Sequence, residues 1–243
     1  MSSAQQSRKT YEISDFLNRQ LNTYARMASV AGVSVLALNG ASEAKVVYTQ
    51  TYEVTHIGFP LYIDLNHDGI KDFLLRTTYY AGTAGLEVGL NAAGYWNANN
   101  AVAGRRFSRS GYFLSGASAL PANAQIGPKG HFSVGFPFMA EELFSKGAGS
   151  QDSDLGAWVG KGNGVKDRYL GLRFVVNGQV HYGWARVSVT LGHHRQHDDV
   201  NGTLTGYAYE TVPNKPIITG QTTGPDVITV QPDTLGGLAL GRQ

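Results

Sequence analysis

Asn177-Gly178 stands between two long runs of aromatic, β-branched and aliphatic residues, 169–176 and 179–190. Such a dipeptide between β runs is the strongest short-range hairpin signal, because both central positions need positive φ. A two-residue turn also fixes the register. Val176 must face Gln179, Phe174 must face His181, Arg173 must face Tyr182, and Gly171 must face Trp184. One face of this hairpin then carries Leu170, Leu172, Phe174 and Val176. The other carries Arg173, Tyr182 and Trp184, and an arginine can stack on such rings. The alternation slips between Trp184 and Val187, which predicts a bulge within 183–186.

The other strand signals are shorter. Residues 46–54, 61–63, 73–80 and 203–209 are rich in Val, Ile, Leu, Thr, Phe and Tyr, and residues 86–90 form a weaker run. Pro213 and Pro216 end the series, since proline cannot continue a ladder. Residues 91–130, rich in Gly, Ala, Asn and Ser, read as long loops with short strands between them, and residues 147–168 are again rich in Gly and Asp. Ala140–Lys146 reads as a short helix ended by Gly147. With 31 glycines and only 16% charged residues, the composition favours turns and sheets over charged amphipathic helices. The expected fold is all-β: an antiparallel β-sandwich or jelly-roll-like domain with long Gly/Asn/Ser-rich loops and at most one or two short helices.

The N-terminal residues read as an export signal. Arg8, Lys9, Arg19 and Arg26 precede an apolar run of twelve residues, Met27–Leu38. Ser42 and Ala44 then supply small residues at the −3 and −1 positions of a cleavage site. The expected division is a signal peptide over 1–44, a β-sandwich domain over 45–217, and a flexible tail over 218–243. The protein is accordingly expected to be secreted or held at the cell surface. No run approaches the ~20 apolar residues of a membrane-spanning helix. Cysteine is absent, which excludes disulfides, thiolate metal sites and a cysteine nucleophile. A net charge of +2 with one short basic run, Arg105-Arg106 to Arg109, gives no nucleic-acid face.

The sharpest chemical motif is the segment 64–72. It places Asp64, Asn66, Asp68 and Asp72 at positions 1, 3, 5 and 9, with Gly69 at position 6. Calcium takes several hard oxygen ligands at once, and glycine permits the turn that wraps them around the ion. The carbonyl of Ile70 at position 7 would add a further ligand. Three carboxylates this close repel one another without a cation. Position 12 is Leu75 rather than the Glu of an EF-hand, and the flanks read as strands. The expected role for Ca2+ here is structural, stapling two strands.

Weaker candidates remain. His193, His194 and His197, with Asp198 and Asp199, form a run that can ligate a transition metal, or an exposed loop. Asp152 and Asp154 lack calcium-loop spacing. Glu141-Glu142 would point apart on a helix, unlike the paired carboxyls of a glycosidase. Trp96, Trp158 and Trp184 are candidates for a sugar-stacking platform or for the core. No nucleophile elbow or phosphate loop occurs.

Three stretches, 170–174, 181–187 and 204–217, resemble the C-terminal half of a group of exported bacterial proteins. Some of these carry sorting tails of the PEP-CTERM kind. The junction 44–49 and the loop 64–72 are similar to their N-terminal half, and the tail 232–242 is reminiscent of such a sorting signal, but with a shorter apolar run. The resemblance implies an exported β protein and no established activity. A non-enzymatic, calcium-stabilised protein of the cell exterior is the leading expectation. A module binding extracellular glycan or matrix is the alternative, and a polysaccharide hydrolase the third.

Overall fold

The computed structural model describes residues 45–83, 85–95, 97, 99–109, 112–145, 153–193 and 200–230. The expected export signal (1–44), Trp96, the stretch 194–199 and the tail beyond 230 lie outside the described residues. Among the described residues fifteen strands follow in order: β1 Val46–Val54, β2 Leu61–Ile63, β3 Phe73–Ala81, β4 Gly85–Gly94, β5 Ala101–Arg109, β6 Tyr112–Ala117, β7 Gln125–Ile126 and β8 Phe132–Ser133. Then come β9 Phe138–Ser145, β10 Ser153–Leu155, β11 Val165–Val176, β12 Gln179–Leu191, β13 Val200–Glu210, β14 Ile217–Ile218 and β15 Val227–Val230.

One long, mostly antiparallel sheet runs β15-β1-β13-β12-β11-β5-β6-β9-β4-β3-β2, with β10 on β9, β8 on β5, and a separate β14–β7 pair. The sheet curls so that its two halves enclose a shared core. Leu75, Leu90, Val88 and Met139 from one half meet Leu170, Leu172, Phe174, Val187 and Leu204 from the other. Burying each such side chain contributes about 1.5–3 kcal/mol. The fold is thus the expected all-β, sandwich-like class. The opposite face of β11 and β12 is also covered. Tyr169, Tyr182 and Trp184 pack there with Val46, Tyr48, Ile126 and Ile217.

The central hairpin has the register that its turn dictates. Val176 faces Gln179, Phe174 faces His181, Arg173 faces Tyr182 and Gly171 faces Trp184. Asn177 (φ 50°) and Gly178 (φ 77°) both take the left-handed conformation. The bulge expected near Gly183–Arg186 is not in that strand: β12 pairs with β11 without a shift there, and the irregularity lies in β13, opposite Arg186 and Val187. The extra residue is Thr205 of β13, between Leu204 and Gly206. Arg173 stacks over Phe132, at 5.3 Å, rather than over its hairpin rings.

Two expectations need correction. The helix expected over 140–146 is a strand as far as the described residues run: residues 138–145 form β9, paired with β4 and β10, and no helix occurs among the described residues. Ala, Glu and Leu favour helices intrinsically, but pairing and burial on both flanks override that weak bias. Ala140, Glu142 and Phe144 are buried and alternate with the half-buried Glu141 and Leu143, the period-2 pattern of a strand. Glu142 at an inward position hid that alternation. The tail expected from 218 is also partly structured, because β15 pairs in parallel with β1, from Val46↔Val227 to Thr49↔Val230.

A buried polar bridge joins the two halves. Thr77 Oγ donates to Thr55 Oγ at 2.9 Å, and Thr55 Oγ accepts the Gly202 N–H at 2.9 Å. Thr55 and Thr77 are almost wholly buried. Replacing Thr55 with Val keeps the shape but orphans the Gly202 N–H, an expected loss of about 1–3 kcal/mol. Urea unfolding measures this: an unchanged midpoint would show that the bridge contributes nothing.

Candidate functional site

The loop 64–72 is the connection of the β2–β3 hairpin, whose strands pair Leu61↔Leu75 and Ile63↔Phe73. The Asp72 N–H donates to the Ile63 carbonyl at 2.8 Å and closes the base. Leu65 is buried and joins the main core, which ties the loop to the fold. The loop also reaches β1 and β13. His67 Nε2 lies 2.7 Å from Thr49 Oγ, and its ring sits 5.8 Å from that of Tyr207. His67 takes φ 61° and Gly69 φ 88°, the left-handed conformations that let the backbone wrap.

The candidate ligands sit as follows. Asp64 accepts the Asp68 N–H through Oδ1 at 3.2 Å and the Gly69 N–H through Oδ2 at 2.9 Å. Asp68 Oδ1 accepts the Ile70 N–H at 2.8 Å, and Asp68 Oδ2 accepts from Asn66 Nδ2 at 2.9 Å. Asp72 Oδ2 accepts the Leu65 N–H at 2.8 Å. The Ile70 side chain is exposed. Asn66 Oδ1 differs from the rest: it is shut off from solvent and has no hydrogen-bond partner among the described residues. A buried acceptor left unpaired costs about 1–3 kcal/mol, and it sits at position 3 of the motif.

Asp72 is the buried carboxylate of the set. Burial pushes its carboxyl up to about 7, opposed by the Leu65 N–H and assisted by the negative charges of Asp68 and Asp64. Its backbone is held as firmly as its side chain. The Asp72 carbonyl accepts from the Tyr95 N–H at 2.7 Å and from Asn100 Nδ2 at 3.1 Å, while Asn100 Oδ1 accepts the Val175 N–H at 3.1 Å. The field of the loop extends to its neighbours. Burial, with the loop's carboxylates, pushes Tyr207 and Tyr209 up to about 12. Burial holds His67 below its ordinary value, against the pull of Asp64.

The other sequence candidates separate. Trp158 and Trp184 are completely buried and belong to the core, so neither can stack a sugar. Arg105 and Arg106 line an open groove of about 670 Å³ with Ser115, His131, Phe132 and Ser133. Glu142, Asp154 and His193, which the sequence offers as three unrelated fragments, come together. Their ligand atoms lie within 4.8 Å of one another, and among the described residues this is the one such trio of His, Asp or Glu. The loop's own three carboxylates do not gather so closely; they hold loop N–H groups. The signal for the trio was a polar residue, Glu142, at an inward position of β9. No family model matches the chain, and neither a curated protein nor a solved structure matches it.

Proposed function

We propose that this chain is a calcium-stabilised, non-enzymatic β protein of the cell exterior, with Ca2+ held by Asp64, Asn66, Asp68, Asp72 and the Ile70 carbonyl. The observation that carries the reading is Asn66 Oδ1, a buried and unpartnered acceptor inside a loop of carboxylates. A hard cation completes such an oxygen, whereas no further N–H of the loop reaches it. The charge balance agrees: three Asp side chains lie within nine residues, beside a single Lys71. Ca2+ neutralises them and fixes β2 and β3 against β1 and β13. The ion's task is therefore mechanical, in surroundings rich in calcium. Export rests on the segment 1–44 and on the resemblance of 170–217 to exported bacterial proteins.

Enzymatic hydrolysis of a polysaccharide has less support. Glu142 and Asp154 are near each other, but Glu142 has no exposed surface for a sugar to reach. Glycan binding on aromatic platforms loses Trp158 and Trp184 for the same reason.

Tyr207 and Tyr209 provide the test. Their rings lie beside the loop, so they can sensitise the luminescence of Tb3+, which takes calcium sites. Tyrosine-excited emission is expected on adding terbium, reversed by excess calcium and lost in Asp64→Asn. Emission that calcium cannot displace, or that survives Asp64→Asn, would sink the reading.

A further inference from the structure

Glu142 and Asp154 stand directly opposite each other where β9 pairs with β10. Like charges directly across a ladder repel. Glu142 is also completely buried, and a buried carboxylate demands a compensating positive charge. His193 follows β12 in a left-handed conformation, φ 58°, and brings Nδ1 to 2.6 Å from Glu142 Oε1. Its other ring nitrogen, Nε2, contacts the Gly162 carbonyl oxygen. A carbonyl can only accept, so Nε2 carries a ring proton. In the neutral ring, Nδ1 then offers its lone pair on the side of Glu142, where the two can share a cation.

A proton on Nδ1 would serve the line between His193 and Glu142, but it leaves Asp154 outside that line. All three ligand atoms lie within 4.8 Å of one another, close enough for one ion to gather them with small side-chain shifts. A histidine that gives its second N–H to a backbone carbonyl is also the usual arrangement at metal sites, since it fixes the tautomer and aims the ligating nitrogen. We propose that Glu142, Asp154 and His193 form a second metal site, for a divalent transition ion of the zinc class. Imidazole with two carboxylates suits zinc better than calcium, which prefers all-oxygen sets. Glu142 closes the site from within. Asp154 and His193 are partly exposed and leave an entry path and a position open to solvent. This site is remote in sequence from the loop 64–72 and does not depend on that reading.

The test uses the full chain, stripped of metal and titrated with zinc chloride by isothermal calorimetry. Wild type is expected to bind zinc. His193→Ala and Asp154→Asn should each weaken binding at least about tenfold, while Asp64→Asn leaves it unchanged. Circular dichroism verifies that each variant is folded, and Asp154→Asn, being conservative and partly exposed, is the safer of the two. Substitution with Co2+ gives a second readout, because its visible absorption reports a nitrogen ligand and should change in His193→Ala. No zinc uptake by wild type, or an affinity unaltered in both variants, would overturn the site and leave His193 as an imidazolium partner of Glu142.

Discussion

Chelating calcium should lower the melting temperature of this protein by ~10 °C, the largest single effect expected from its chemistry. A ligand that binds only the folded state stabilises it by about 4 kcal/mol when free ligand exceeds its Kd by about a thousandfold. For a domain of this size each kcal/mol moves the midpoint by about 2–4 °C. The loop has the connections to transmit that loss. Leu65 sits in the main core, Asp72 is tied to Tyr95 and Asn100, and Asn100 is tied in turn to Val175 of β11. Loosening 64–72 therefore loosens both halves of the sandwich. Scanning calorimetry at equal ionic strength, with calcium and with chelator, measures the shift. Asp64→Asn should melt at the chelated temperature in either buffer. Equal midpoints for wild type in the two buffers would deny the ion a structural role.

Asp72→Asn should change sign between those buffers. Without calcium, the folded protein keeps a buried carboxylate whose pKa is raised to about 7, from an ordinary 3.8. The folded state then prefers the neutral acid. The cost of ionising it is absent below the ordinary carboxylate range, grows as pH rises from there, and is complete above about pH 7. There it amounts to about 4 kcal/mol by linkage. Asparagine removes the charge yet still accepts the Leu65 N–H. In chelator at pH 8 the variant should be more stable than wild type by about 2–4 kcal/mol; near pH 4 the gain should vanish. In saturating calcium the same variant loses a ligand and should be the less stable of the two. Urea midpoints in four conditions, two pH values with and without calcium, measure this. A variant that is less stable in every one of them would show that Asp72 is no strained, cation-awaiting carboxylate.

The two halves of the fold differ in how openly the sequence declares them. The hairpin of β11 and β12 is written in its turn: Asn177-Gly178 allows one conformation and hence one register, and local geometry sufficed. The strands β5 and β6 gave no comparable signal. Ala101, Ala103 and Gly104 are small, Arg105 and Arg106 are polar, and their strand identity comes from partners distant in sequence. Gly104 illustrates this. A Cβ there would meet the Gly116 carbonyl oxygen at 2.3 Å, so the glycine serves close approach of β5 to β6 rather than a turn. β15 is declared by its parallel pairing with β1 alone, a contact across most of the chain. The same distinction divides the two proposed ion sites. The loop 64–72 is contiguous, and its spacing is visible in nine letters. Glu142, Asp154 and His193 come from three elements, and one of them sat within a segment whose residues favour a helix. Only the pairing of β9 with β10, and the return of the chain after β12, bring them together.

A crystal structure of the full chain grown in millimolar calcium tests the central claim most directly. The loop 64–72 should hold an ion with oxygen ligands at about 2.3–2.6 Å, Asn66 Oδ1 and the Ile70 carbonyl among them. Finding Asn66 Oδ1 hydrogen-bonded instead to protein or water, with no ion between Asp64, Asp68 and Asp72, would contradict it.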